Sequence, residues 1–327
     1  MSNQSAMFAQ SLKINGNDID VNRIVSLAYT EYLDLSGPTI ILQVRDEQSF
    51  IVDNYGLVAG TEIEIGMGDV HGIGDALFTE TFTTMLYPVK NGVITIEAFQ
   101  KDCYSIKTPA SRSQFFTDKS PSEIISALIP GLKIQSSVNG KGVYHLNQGK
   151  TPARLLRDMA RDFAAACWIC RGTVYFKLLS EIVATPAALT LGLNSKTCDV
   201  DIQRFNKINN SALFERVAYK NFSSWDTELG HQRSGVCQDK PLVVVAYPLT
   251  PVQLANQCVY IQPMLDVVVV GDTNFTPGIN VGLDVIKLSH DAEIDESVPA
   301  TLFIHSVTHY AQEMKYNNRM ILGALNV

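Results

Sequence analysis

The end of the chain, from Val267 to Val327, constrains the fold more than any other stretch. It reads VVVVGDTNFTPGINVGLDV, then an acidic loop SHDAEIDES, then TLFIHSVTHYAQEMKYNNRMILGAL. Two apolar runs flank a turn centred on Thr276-Pro277-Gly278, and the last two runs bracket a polar connection that contains Asn317-Asn318. Short apolar runs punctuated by Gly, Pro and Asn are the pattern of antiparallel strands joined by hairpins.

The same pattern opens the chain. Ile24–Tyr32, Thr39–Arg45, Glu62–Ile65, Leu77–Leu86 and Val93–Phe99 alternate or run apolar, with turn residues at Ser36-Gly37-Pro38, Gly66–Gly74 and Asn91-Gly92. Asn-Gly between two alternating runs is a strong hairpin signal, so this region is expected to be an antiparallel sandwich or barrel. The character changes at Ser120-Pro121-Ser122-Glu123, which places an N-cap, a proline at the first helical position and a capping-box glutamate before IISALI. Pro130-Gly131 ends that helix. A second helix is expected from Thr151-Pro152 to about Ala166, with Leu155, Leu156, Met159, Phe163 and Ala166 as its apolar stripe. Arg154, Arg157, Asp158 and Arg161 face away from that stripe. Trp168 and Arg171-Gly172 then lead into a strand over Thr173–Leu179, and strand character resumes at Ser211–Tyr219 and Leu242–Ala246. Gln253–Gln257 reads as a short helix.

At 327 residues the chain is long enough for two or three domains. Net charge is −7 and no block of Lys or Arg occurs. That argues against an electrostatic grip on nucleic acid or anionic lipid. The charged fraction of 18% is slightly low, as in a chain that buries surface in an oligomer. The N-terminus is polar, with no signal peptide pattern. The longest apolar runs, Leu242–Tyr247 and Val267–Val270, are far too short to span a bilayer as helices. Six dispersed cysteines point to a reducing compartment and a soluble protein.

The strand, Thr276-Pro277-Gly278 turn, strand and loop, followed by Phe303-Ile304-His305-Ser306-Val307-Thr308-His309 and the closing Tyr316-Asn317-Asn318-Arg319, resemble one family. It is that of the central baseplate hub proteins of tailed phages, shared by the N-terminal hub portion of type VI secretion spike proteins. Thr151-Pro152-Ala153-Arg154-Leu155-Leu156-Arg157-Asp158-Met159-Ala160, then Trp168, then Gly172-Thr173-Val174-Tyr175-Phe176 resemble the helix and hairpin of the family's α/β domain. Tyr29–Asp34, Pro38–Val44 and Asp46 resemble its first strands. The resemblance implies a mainly β fold with an α/β insert. Two antiparallel β-barrel-like domains, residues 1–108 and 191–327, would flank a small α/β domain at 109–190.

Each candidate for chemistry has a structural reading beside it. His305 and His309 have the His-x-x-x-His spacing of a helical metal site, but they lie in a strand. There, four residues at about 3.3 Å each set them some 13 Å apart, too far to share a zinc ion. Cys167-Trp168-Ile169-Cys170 has a redox spacing but falls at the end of the expected helix, away from the activating N-terminal dipole. It reads as a buried structural pair. Gly149-Lys150-Thr151 ends like a phosphate loop, yet Tyr144 occupies the place of the first glycine and Pro152 comes directly after the threonine. The loop Gly66–Asp75, with Asp69, His71 and Asp75, joins two β segments and opens no helix, so it reads as a hairpin loop able to meet a partner. Asp291, Glu293, Asp295 and Glu296 lack a calcium-loop framework. No pair of the 33 acids is singled out as a glycosidase dyad. Catalytic, cofactor and metal residues are therefore all expected to be absent.

The resemblance implies a mechanical role in the virion, at the tail baseplate. A homotrimer would present six similar barrels, matching a six-fold tail tube or tube-initiator protein on one side and a three-fold spike on the other. Genome DNA would pass through its lumen without specific binding, the insert would meet other baseplate proteins, and nothing would enter a membrane. The finish at Val327 fits a hub with its spike on a separate chain. Two other classes compete: a carbohydrate-binding tail-tip adhesin, favoured if Trp225 is exposed (although a lone Trp is more often packed), and an intracellular enzyme.

Overall fold

A computed structural model describes residues 6–68, 76–208, 220–234, 241–286 and 294–326. Its first third forms β1 (Phe8–Ile14), β2 (Asn17–Ile19), β3 (Ile24–Tyr32), β4 (Thr39–Arg45), α1 (Phe50–Tyr55), β5 (Glu62–Gly68), β6 (Phe78–Leu86), β7 (Val89–Lys90) and β8 (Val93–Gln100). All pair antiparallel, in the order β2-β1-β5-β6-β8-β4-β3. Alternation sets the faces: along β8, Ile94, Ile96 and Ala98 are buried while Glu97 is exposed. These inward rows make one apolar core around Leu42, Ile65 and Phe82. Asn91 and Gly92 have φ of 52° and 70°, the doubly positive turn that a two-residue hairpin requires.

The insert contains α2 (Lys101–Lys107), β9 (Gln114–Lys119), α3 (Pro121–Leu128), β10 (Lys133–Ser136), β11 (Gly142–Leu146), α4 (Pro152–Asp162), β12 (Ala165–Cys170), β13 (Thr173–Leu178) and α5 (Leu179–Ala184). The expected capping box closes α3, with Ser120 and Glu123 bonding each other's backbone. On α4, Leu155, Leu156 and Met159 are buried and the three arginines are exposed. The helix stops at Asp162, earlier than expected, because Ala164 takes a left-handed turn at φ 47°. The chain then enters a strand, β12, with all six residues buried. A strand apolar on both faces carries no alternation, so its sequence reads equally well as the end of a helix. Three residues apart in a strand, the two cysteines fall on opposite faces. Cys167 joins the insert core with Ile169, whereas Cys170 shares a second cluster with Trp168, Leu33 and Phe303.

The remaining elements are β14 (Leu189–Leu193), β15 (Val200–Lys207), β16 (Asn221–Asp226), β17 (Gly230–Ser234), β18 (Leu242–Val244), α6 (Pro251–Asn256), β19 (Ile261–Val270), β20 (Asn280–Val285), β21 (Thr301–Gln312) and β22 (Lys315–Leu325). Six of them close into a barrel in the order β21-β20-β14-β15-β19-β22 and back to β21. Within it β14 runs parallel to both neighbours. The fold is thus mainly β with two barrel-like bodies and few helices. Two expected hairpins differ from the structure. The runs β19 and β20 are not partners: β19 lies between β15 and β22, and β20 between β14 and β21. Asn317-Asn318 lies inside β22, and the last turn is made at Glu313-Met314, where Glu313 has φ 54°. The expected strand Ser211–Tyr219 is outside the described residues.

The hairpin β21–β22 belongs to both barrels. The first residues of β21 pair with β20, and from Ser306 onward it pairs with β3 of the first barrel. The change happens at a bulge at His305, and bulges commonly redirect a strand in this way. Beyond it, Ala311 and Tyr316 enter the first barrel's core. The two barrels are therefore one continuous 14-stranded sheet. Tyr316 fits there because residue 271 is glycine: a Cβ would overlap its ring. Gly271→Ala is expected to destabilise the protein by about 1–3 kcal/mol through overpacking, lowering the midpoint of urea unfolding with little change of slope.

Candidate functional site

Four strands place a polar side chain where alternation calls for an apolar one. On β3 the inward series is Leu27, Tyr29, Glu31 and then Leu33; on β6 it is Phe78, Glu80 and Phe82. On β21 it is Val307, His309 and Ala311, and on β22 it is Tyr316, Asn318 and Met320. The shared sheet brings these positions together. The β12–β13 turn, with Arg171 and Gly172 at φ 45° and 73°, adds Arg171 from the insert. The resulting cluster joins both barrels and the insert at one point.

Glu31 is its centre and is fully buried. Its Oε1 accepts from Tyr29 Oη at 3.0 Å, Cys170 Sγ at 3.0 Å and Arg171 Nε at 3.2 Å. Its Oε2 accepts from Arg171 Nη2 at 3.1 Å and His309 Nε2 at 3.3 Å. The guanidinium is therefore bidentate on the carboxylate, the strongest geometry for such a pair, and also sits over the Phe78 ring. Asn318 donates to His309 Nδ1 at 2.8 Å, and its own Oδ1 takes the Asp272 N–H. That fixes Nδ1 as an acceptor and leaves Nε2–H to face Glu31. Tyr316 stacks on the imidazole and places its hydroxyl 2.7 Å from Nδ1.

Burial would raise the pKa of Glu31, but the His309 hydrogen bond and the Arg171 charge outweigh it and hold the carboxyl well below its ordinary value. Burial and then the Glu31 charge push the Cys170 thiol and the Tyr29 phenol up, so both stay protonated. Glu80 is the opposite case to Glu31: burial, then the charge of Glu31, raise it to about 8.

A second buried acid fastens the insert to α6. Asp162 accepts from Tyr144 Oη at 3.1 Å and Gln257 Nε2 at 2.8 Å, while its carbonyl takes Asn256 Nδ2 at 2.7 Å. Burial raises its carboxyl to about 6. Both clusters lock chain segments together; Tyr29, Glu31 and His309 are closed to solvent. Arg171 is the outermost member of the first cluster, at the wall of a cavity of about 630 Å³ shared with Trp168, Tyr175, Lys177 and Asn280.

The residues singled out from sequence fall in different parts of the molecule. His309 joins the cluster, while His305 stands apart at the bulge, so the pair shares no site. Among the described residues no group of three metal-ligating side chains is placed to hold a metal ion. Cys170 bonds Glu31, whereas Cys167 packs in the insert core. Gly149-Lys150-Thr151 forms a turn into α4, with Lys150 N–H bonded to Asn147. Gly66 and Gly68 complete β5; Asp69, His71 and Asp75 lie outside the described residues, as do Asp291 and Glu293. Asp295 accepts from Lys207 at 2.8 Å, and Glu296 is exposed. Trp225 is not packed: it is 65% exposed on the small sheet β17-β16-β18. Glu31, Glu80, Arg171 and Asp162 are not apparent as site residues from sequence. For the first two a signal exists, as an acid at an inward position of a strand.

Comparison with solved structures places the fold. A tail protein from Neisseria meningitidis MC58 matches with a TM-score of 0.67 at 12% identity, covering 98% of this chain and 97% of its own. The 43 kDa tail protein of prophage MuSo2 from Shewanella oneidensis matches with a TM-score of 0.67, also at 12% identity, with 97% and 98% covered. A type VI secretion component of E. coli, described as similar to the T4 bacteriophage tail proteins gp27 and gp5, matches at 0.51 with 9% identity, over 97% of this chain and 76% of its own. No protein-family model matches the chain, and no curated protein matches it in sequence. At such identities the likeness is one of fold, and the fold is that of these tail proteins.

Breaking a buried ion pair from one side strands the other charge, at about 3–5 kcal/mol. Glu31→Gln and Arg171→Met are each expected to destabilise by that order, and the double variant by less than their sum, in a double-mutant cycle read by urea unfolding. The pH dependence has a definite sign. The native carboxyl of Glu31 titrates below its unfolded value, so its contribution is complete above about pH 4.5 and is lost as the pH falls towards about 2. Glu31→Gln should flatten stability against pH across that acid window.

Proposed function

We propose that this chain is the central hub subunit of a phage tail baseplate, or of a related phage-like particle. It works as a homotrimer that joins the six-fold tail tube to the three-fold spike and continues the DNA channel. The observation that carries this reading is the near end-to-end match with two tail proteins, in which both barrels and the insert take part. A local match to one barrel would say far less, because barrels serve many functions.

The shared sheet supports the same reading. Its outward face crosses β8, β4, β3, β21, β22 and β19, a span of roughly 24 Å at about 4.8 Å per strand. One row across it is Glu97, Ile41, Ala28, Tyr310, Asn317 and Val270; the next holds Phe99, Thr39, Thr30, Thr308, Arg319 and Val268. Hydroxyls dominate the middle, with Thr30 and Thr308 bonded to each other at 2.9 Å, and Arg319 is neutralised by Asp266. A wall with so little free charge suits a ring-forming subunit beside a polyanion. Closed symmetry would repeat it around the axis. Tube protein, spike protein and other baseplate proteins are the partners, and the virion tail is the location.

A carbohydrate-binding tail-tip adhesin is the second reading, and the exposure of Trp225 favours it. It requires retention on immobilised glycans that Trp225→Ala abolishes. The hub reading predicts no such retention and, by light scattering, a trimer of three times the 36.0 kDa chain, formed alone or with its spike protein. A monomer that binds neither tube nor spike protein would refute it.

A further inference from the structure

Tyr29 has one phenolic hydrogen and two carboxyl neighbours. Its oxygen lies 3.0 Å from Glu31 Oε1 and 3.1 Å from Glu80 Oε2. Both contacts are of hydrogen-bond length, so a second hydrogen must lie between these three oxygens. Glu31 has no need of it, because Arg171 and His309 already face both of its oxygens. Glu80 has no such support. Its other oxygen, Oε1, makes no hydrogen bond of ordinary geometry, and its neighbours along and across the sheet are Phe78, Phe82 and Ile65.

The groups that face Glu80 come from several elements. Tyr29 and Glu31 project from β3, and Cys170, Arg171 and the Gly172 backbone amide from the β12–β13 turn; His309 and Tyr316 of the shared hairpin reach the cluster through Glu31 and Arg171. Arg171 is the permanent cation among them, and its fork is committed to Glu31.

We propose that Glu80 is held protonated in the native fold and donates its hydrogen to Tyr29, forming a chain Glu80–Tyr29–Glu31 that acts as an alkaline-sensitive latch between the first barrel and the insert turn. When the proton leaves to solvent, two buried carboxylates face one phenol hydrogen and one guanidinium. Arg171 can then satisfy Glu31 or Glu80 but not both, and the grip on the 165–178 hairpin weakens. The shift of the Glu80 carboxyl to about 8, by burial and then by the Glu31 charge, agrees in direction. Native Glu80 binds a proton that the unfolded chain releases near pH 4.5, so stability falls as the pH rises from there to about 8. This is opposite in sign to the acid-side effect of Glu31.

The test is infrared difference spectroscopy of the full chain between about pH 7.5, where Asp162 is already ionised, and about pH 10, with urea unfolding measured from about pH 6 upward. A protonated-carboxyl band at the lower pH should vanish at the higher. Glu80→Gln should lack that band and remove the alkaline fall in stability. Amide exchange over 165–178, corrected for intrinsic rates, should rise with pH in the wild type before global unfolding does. A wild-type spectrum without a titrating carboxylic acid overturns the proposal even if Glu80→Gln fails to fold. A band, or an alkaline fall, that persists in Glu80→Gln overturns it as well. Exchange over 165–178 that rises only with global unfolding overturns the latch.

Discussion

The hairpin β21–β22 is the constraint on which the rest of the structure depends. Its strands of 12 and 11 residues exceed the usual five or six, and that length lets one ribbon close the six-stranded barrel and then pair with β3 of the other barrel-like body. A bulge at His305 hands β21 from one partner to the other, and Tyr316 then fills the first barrel's core from the far end of the sequence. Neither barrel is complete without it. The contact is long-range in the extreme: Thr30 bonds Thr308 across 278 residues, so the first barrel must wait for the last strands before it can finish folding.

The buried charge cluster sits where that ribbon meets the insert turn, and its position explains its chemistry. Apolar packing alone would hold the barrels together but would tolerate slippage along the sheet, since neighbouring rows look alike. A bidentate Arg171–Glu31 pair, a tautomer-fixed His309 and a clamped Asn318 can be satisfied in one register only. We regard register selection as the return for burying these groups, since buried ion pairs add little net stability of their own. In the proposed hub, a subunit placing two barrels at fixed spacing in a ring would have reason to fix that register.

Much of this is legible in the sequence where local chemistry decides the structure. Asn91-Gly92, the Ser120 capping box, the alternation of β3 and β4 and the arginine face of α4 all depend on residues within one turn or one strand of each other. The features that are not legible depend on layers. β12 is covered on both sides, so Cys167 and Cys170 give no hint that they point into different cores. The pairing of β19 and β20 reads wrongly because adjacency in sequence favours a hairpin, while closure of the barrel puts other strands between them. Glu31 and Glu80 have a readable anomaly, an acid in an inward series. Their partner Arg171 does not, because a turn residue carries no sign of which core it will reach.

The fold is shared with phage tail proteins, and the proposed mechanical role depends on where the protein stands in a particle. The most direct measurement is a cryo-electron microscopy reconstruction of the particle that encodes it. A hub subunit predicts three copies at the junction of tube and spike, with six barrels around an open channel and the shared sheet continuous within each copy. Density for the chain at a fibre tip, or absent from the assembled tail, would contradict it.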